Sequence, residues 1–361
     1  MKQFKKLGAL LTALAVVCSV SVAAFAAVED TGFADVAADS WYADAAAYCR
    51  DSGLMSGTGG TTFSPDAVMT RAMLATVLYR LAGSPAVTGT DAFTDTADGT
   101  WYADAVLKAS AAGVLQGDGA NARPSATITR QEAMVMLARV MKLSGEAGAS
   151  AGFADQDQIA SWALDAVKSM AAKGYVNGSG GRIMPTANIT RAEIAVMLDN
   201  MFAGYFDQAG TYTEDVDGAA VISAGGVTLE NLTVSGDLIV AEGVGDGHVV
   251  LDSVALGGRL IIRGGGENSV VIKGNSKIDE VIVARQEGKV RVAVQGASAV
   301  DVVYVDDGAD AVKIEGKVDT VTVAAAEAAV ELAGEVKTVE VAESAGGAAL
   351  TVAKDAKVDT L

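Results

Sequence analysis

The chain has 361 residues, half of them apolar, and carries 45 acidic against 27 basic side chains, for a formal charge of −18. Such an excess of anions argues against nucleic acid or an anionic lipid surface as a general partner, and the length has room for two domains at the usual ~100 to 200 residues each. With His248 as its single histidine, set at the glycine-rich turn Gly243 to Gly247, the chain is not expected to build a His-based triad, a zinc cluster or a metalloprotease helix.

The N-terminus places Lys2, Lys5 and Lys6 before an apolar run from Leu7 to Val20, followed by Ala24-Phe25-Ala26. This is the pattern of a signal peptide over residues 1–26, so a secreted protein is expected. The run is shorter than the ~20 residues of a spanning helix, and nothing later replaces it, so no membrane insertion is expected after cleavage. Cys18 follows Val16-Val17 rather than the small residue that lipoprotein signals place before their cysteine, which argues against lipidation. Cleavage leaves Cys49 alone, a small buried hydrophobe without a disulfide partner. It also leaves 24 basic residues against 45 acidic, a charge of −21.

Self-similarity then dominates the first half. Phe33-Ala34-Asp35, Phe93-Thr94-Asp95 and Phe153-Ala154-Asp155 recur every 60 residues, and Trp41, Trp101 and Trp162 follow them. Gly53 to Gly57, Gly113 to Gly117 and Gly174 to Gly178 share one form. Then come Pro65, Pro124 and Pro185, and finally Thr70-Arg71, Thr129-Arg130 and Thr190-Arg191. Trp162, Ala166 and Met170 fall at helical spacing and Gly174 stands where a helix stops, which predicts a first helix in each repeat. Thr190-Arg191-Ala192-Glu193 reads as a capping box opening a second helix, whose apolar face is Ile194, Met197, Leu198 and Met201. Units this small cannot bury their own faces well, so three must pack together.

The box accounts for Thr and Glu. It does not account for Arg, since a cation beside an N-cap is disfavoured by ~0.3 to 1 kcal/mol. Guanidinium plus free helix-end amides make an anion site; the alternative is a structural bridge from each Arg to the Asp of a neighbouring repeat. Phe-x-Asp, Trp, Gly-x-x-x-Gly and Thr-Arg-Ala-Glu together resemble the S-layer homology motif, in three tandem copies over roughly residues 33–203. The resemblance implies a pseudo-threefold helical domain whose grooves bind anionic secondary cell-wall polysaccharide, often bearing a pyruvyl ketal. It assigns polysaccharide-binding roles to Arg71, Arg130 and Arg191, and further to Asp35, Asp95, Asp155, Trp41, Trp101 and Trp162, with Gly57, Gly117 and Gly178 letting sugar approach the backbone. A tryptophan opening an amphipathic helix also has a plain reading as core. The copies differ: repeat one reads Thr70-Arg71-Ala72-Met73 and lacks the Glu, so at least one groove is expected to be weak or merely structural.

After Phe202 the composition changes. Residues 204–220 bear Gly, Asp and Thr without helical period and read as a linker. Beyond it, Leu238-Ile239-Val240, Leu260-Ile261-Ile262, Val281-Ile282-Val283, Val303-Tyr304-Val305, Val321-Thr322-Val323 and Val339-Glu340-Val341 recur at spacings of 22, 21, 22, 18 and 18 residues. Such regularity fits a right-handed parallel β-solenoid over 221–361 better than a β-sandwich. The sequence stops in mid-rung, which leaves either a paired edge or a truncated chain. Asp279, Asp301, Asp319 and Asp359 align in one column broken by Lys337; solvated corner residues are the plainer reading, a cation site the other.

The expectation is an α + β multidomain protein with three helical repeats (33–88, 93–143, 153–203), a linker and a solenoid. It is held non-covalently on a bacterial cell wall and projects the solenoid as spacer, adhesin or S-layer component, with self-association at the surface. No catalytic residue, metal or cofactor is expected. The rival is a wall-anchored polysaccharide lyase or glycoside hydrolase acting through the solenoid.

Overall fold

The computed structural model describes residues 31–87, 93–143, 152–306 and 308–361. The leader expected over 1–26 lies outside them. Each repeat supplies two helices: α1 (Ala43–Asp51) and α2 (Arg71–Leu81), α3 (Ala103–Ala111) and α4 (Arg130–Val140), α5 (Leu164–Ala172) and α6 (Arg191–Met201). Gly53, Gly113 and Gly174 adopt left-handed backbone just past α1, α3 and α5, which stops those helices. The hydroxyls of Thr70, Thr129 and Thr190 accept from the N3 amides of α2, α4 and α6. Glu132 and Glu193 complete reciprocal boxes; Met73 has no side-chain acceptor to do so.

The repeats close into a ring. α3 packs on α2, α5 on α4, and α1 returns to pack on α6. The residues just before the caps, Met69, Ile128 and Ile189, are fully buried and pass a cycle of backbone bonds. Met69 donates to Ile189 at 2.9 Å, Ile189 to Ile128 at 3.1 Å, and Ile128 to Met69 at 3.1 Å. A cycle of three bonds returning to its start marks the pseudo-threefold axis.

The second half is a parallel β-solenoid of about eight coils. On one face Phe202–Phe206, Ala219–Ile222, Leu238–Val240 and Leu260–Ile262 stack in register, and the stack continues through Val281, Val303, Val321 and Val339. A second face stacks Gly210–Tyr212, Val227–Glu230, Val249–Asp252, Val271–Lys273 and Lys289–Val294. Inward residues such as Leu238, Val240, Leu260, Ile262, Val281 and Val283 fill one column. In the last coils two faces merge into single long strands, Ala311–Val323 and Ala329–Val341, which accounts for the shorter 18-residue period.

Two expectations are corrected here. Residues 204–220 are not a linker: α6 ends at Met201 and Phe202 opens the first strand, which pairs with Ala219–Ile222. Nor does the solenoid project freely from the helical ring. The outward residues Val221, Ile239, Ile261 and Ile282 are buried because they share the core of the helical ring, and each such burial is worth about 1.5–3 kcal/mol. The ends of the three core helices meet this face. Tyr205 donates to Arg80 O at 2.9 Å and Gly243 N to Ala82 O at 2.6 Å, both at the end of α2. Arg259 donates to Met141 O and Lys142 O, and Arg263 to Arg139 O and Val140 O, at the end of α4. Cations at these carboxyl ends are favoured by the helix dipole. An interface this apolar argues against independent domain motion. No described helix is long and apolar enough to cross a membrane.

Candidate functional site

The three boundaries between repeats are built alike, each from one repeat's Thr-Arg helix start and the next repeat's Pro-bearing loop. Arg71 donates through Nε to Ala122 O at 2.8 Å and through Nη2 to Gln116 O at 2.7 Å. Arg130 Nε reaches Ile183 O at 2.7 Å. Arg191 closes the ring, with Nε on Phe63 O and Nη2 on Ser56 O, both at 2.7 Å, and its guanidinium 4.8 Å from the Phe63 ring centroid. All three arginines are buried. Burial pulls Arg71 and Arg191 below the ordinary guanidinium value, with Glu132 opposing the shift at Arg71.

The helix-end amides are committed as well. Arg71 and Ala72 donate to Ala126 and Pro124, Arg130 and Gln131 to Ala187 and Pro185, and Arg191 and Ala192 to Ala67 and Pro65, at 2.9 to 3.0 Å. The expectation of free amides is therefore corrected. So is that of an arginine with no structural role, because each one clamps the following repeat. The bridge to a neighbouring Asp is not formed either. The carboxylate that Arg71 and Arg130 meet is the box glutamate of the next repeat, Glu132 at 3.8 Å and Glu193 at 2.6 Å.

The aspartates work within their own repeats. Asp35 accepts from Phe63 N and Ser64 N, Asp95 from Ala122 N and Arg123 N, and Asp155 from Ile183 N and Met184 N, at 2.7 to 2.9 Å. Ser64, Arg123 and Met184 all have positive φ, so each carboxylate holds a strained turn in front of the proline. Burial raises the Asp35 and Asp155 carboxyls, and the amide donors more than reverse it, leaving both below their ordinary value. A group depressed on folding contributes stability above its unfolded value, near 3.9, and loses it as pH falls through the folded value. Acid titration followed by helical circular dichroism should therefore show the ring losing stability below about pH 4, and Asp35→Asn should flatten that loss. An unchanged acid limb in the variant would remove this role.

The glycines have a structural reason of their own. A Cβ on Gly57 would lie 2.7 Å from Thr62 O, one on Gly117 2.5 Å from Asn121 O, and one on Gly178 within the Arg182 carbonyl, with the repeat's own Phe alongside in each case. Close approach of their own chain at the Cβ position accounts for a glycine at each place.

The tryptophans are the opposite case. Trp41, Trp101 and Trp162 are 68%, 64% and 58% exposed, so the core reading is corrected. Trp41 and Trp101 stand edge-on against Tyr42 and Tyr102, with centroids 5.2 Å apart. Ala160 N donates to Gln131 Oε1 at 3.0 Å, and the turn holding Trp162 packs on α4. That places the turn of Trp162 beside the helix start of Arg130, while α3 and α1, which follow Trp101 and Trp41, pack on α2 and α6.

On the solenoid, Lys337 pairs with Asp319 at 2.7 Å within the aspartate column. On the second face Arg291, Lys313, Glu315 and Glu331 form a ladder of ion pairs at 2.5 to 3.3 Å. Among the described residues no group of three or more His, Cys, Asp or Glu is arranged to hold a metal ion.

Three buried-arginine seams around a pseudo-threefold axis, with three exposed tryptophans, define a ring of three like helical modules. The S-layer homology domain family matches residues 32–73, 92–134 and 152–195, one match on each repeat. The chain carries three S-layer homology domains, modules that anchor proteins non-covalently to the cell wall and bind its polysaccharide, and it is a secreted cell-surface protein. It is 33% identical over 180 residues to an amylopullulanase of Thermoanaerobacterium thermosulfurigenes, covering 48% of this chain and 10% of that protein. It is 27% identical over 194 residues to the S-layer protein sap of Bacillus anthracis, covering 53% and 23%. The Surface-layer 125 kDa protein of Lysinibacillus sphaericus is 30% identical over 153 residues, covering 41% and 13%. The chain thus spans less than a quarter of each of these relatives.

Sequence reasoning missed the second role of Glu132 and Glu193, and missed Arg259 and Arg263 altogether. The latter pair had a signal: two cations flanking the apolar triplet Leu260-Ile261-Ile262.

Proposed function

We propose that the helical ring binds secondary cell-wall polysaccharide along its three seams, with Trp41, Trp101 and Trp162 stacking on sugar rings and the arginine edges taking anionic substituents such as pyruvyl ketals. The observation that carries this reading is the exposure of all three tryptophans at equivalent places. A large aromatic ring loses by facing water, and three equivalent ones form a repeated platform for a repeating polymer. The solenoid, docked along the ring, serves as a rigid spacer or lattice element without catalysis of its own; its outward charges are largely paired on the second face. The relatives named as enzymes and those named as S-layer proteins both suit a portable anchor.

Sedimentation with purified cell wall, before and after removal of its pyruvyl groups, tests this. Single Trp→Ala variants should each pellet several-fold less well with an unchanged melting temperature, because the rings contribute little to the core. A triple variant that pellets like the wild type would end the proposal. Release of unsaturated or reducing ends from uronic-acid polymers would establish the enzymatic rival instead.

A further inference from the structure

Between the helical ring and the solenoid runs a cleft of about 260 Å³ that the seams do not use: none of the seam arginines or exposed tryptophans lines it. Its apolar walls include Leu81 at the end of α2, Val140 at the end of α4, Ala112 just past α3, and the outward solenoid residues Val221 and Ile239. An apolar docking face is expected to close on itself, because a void forfeits the contacts of every atom around it. Scaled from the ~150 Å³ apolar cavity that takes benzene, a cleft of this volume has room for about ten non-hydrogen atoms of ligand. Two cations stand in this lining with bonds unmade. Arg263 is 7% exposed, its Nη1 pairs with Glu242 at 3.3 Å and its Nη2 donates to the carbonyls of Arg139 and Val140, yet Nε has no hydrogen-bond partner among the described residues. Lys108, half-buried in the last turn of α3, makes no ion pair among the described residues. The remaining charges of the lining are placed otherwise: Arg285 is committed to Gly245 O and Asp246, and Glu287 is exposed to solvent.

We propose that this cleft is a binding site for a small amphiphilic carboxylate, an aliphatic acid of about eight carbons by the volume scale above. Its chain lies between the ring and the solenoid, and its carboxylate bonds Nε of Arg263 with Lys108 as the second cation. An apolar cleft with a few converging polar groups is the usual build of a small-molecule site, the polar groups fixing the ligand's orientation. Arg263 is already held by Glu242 and the end of α4, so a carboxylate gains a charge-assisted bond without ordering the side chain. A ligand seated here touches both domains and is expected to raise the unfolding midpoint of the whole chain.

The test is titration calorimetry of the full chain with octanoate, with octanol and with octylammonium. Octanoate should bind at one site, about 10-fold or more tighter than octanol, as expected of one charge-assisted hydrogen bond, and octylammonium should bind most weakly. Ala112→Leu fills the cleft; it should abolish octanoate binding while the unfolding midpoint of the free protein stays level or rises. Arg263→Met should erase the preference for octanoate over octanol. Because that variant also gives up the bonds to α4, Lys108→Met carries the same test at a position no ion pair depends on, and should cut octanoate affinity several-fold with octanol unchanged. Octanoate binding that survives Ala112→Leu overturns the site. Equal affinity for octanol, or an undiminished preference in Lys108→Met, overturns the carboxylate assignment, and no heat of binding at millimolar octanoate overturns both.

Discussion

Replacing Arg130 with alanine should lower the free energy of unfolding by about 3–5 kcal/mol, the cost of breaking a buried ion pair from one side. The side chain is 5% exposed, donates to Ile183 O at 2.7 Å and meets Glu193 at 2.6 Å. Its loss strands a buried carbonyl and a carboxylate at 24% side-chain exposure, and it opens the boundary between repeats two and three. Because the repeats close cyclically through Met69, Ile128 and Ile189, that boundary cannot loosen without straining the other two. Urea denaturation followed by circular dichroism measures the loss. Arg130→Lys should recover only part of it, since an ammonium cannot span both acceptors with the planar fork. A variant within about 0.5 kcal/mol of wild type, the range of ordinary surface changes, would show that the clamp is not a determinant of the fold.

The repeat, the caps and the coil period are legible in the sequence because they are local. Thr190 and Glu193 stand three residues apart, and the triplets recur at nearly constant spacing. The arginines are not legible in this way. Their acceptors are backbone carbonyls 45 to 135 residues away, as with Arg71 to Gln116 and Arg191 to Ser56, and a carbonyl leaves no mark in composition. An Arg beside an N-cap therefore looks free of structural work in the sequence and carries a great deal of it in the fold. The tryptophans mislead for a related reason. A Trp opening an amphipathic helix reads as core, but these helix starts lie at the rim of the ring, where one side is solvent.

The docking face did have a sequence signal. In an isolated solenoid the middle residue of each triplet points outward and should be polar. Here it is Ile239, Ile261, Ile282 and Tyr304, and turns polar only at Thr322 and Glu340. The switch falls where the helical ring ends. The first four middle residues pack against that ring, while Thr322 and Glu340 bond each other at the surface.

That docking makes a second large effect measurable. Arg259 is paired with Asp237, whose side chain is 1% exposed, and bonds the carbonyls of Met141 and Lys142 just past the end of α4. Burial raises the Asp237 carboxyl, and Arg259 more than reverses it. Arg259→Ala leaves that buried charge with only the backbone amide of residue 259 and frees the carbonyls of Met141 and Lys142 just past α4, so a loss of about 3–5 kcal/mol is expected. The loss should fall on the coupling between domains. All three tryptophans lie in the helical ring, so their fluorescence reports the ring while strand circular dichroism reports the solenoid. In the wild type the two signals should trace one urea transition; in Arg259→Ala they should separate, the ring unfolding first because α4 loses its end. Arg259→Met with Asp237→Asn, which removes both charges and keeps volume, should bring the transitions back together. Coincident transitions at an unchanged midpoint in Arg259→Ala would mean that the apolar residues Val221, Ile239, Ile261 and Ile282 hold the two domains without help from the ion pair.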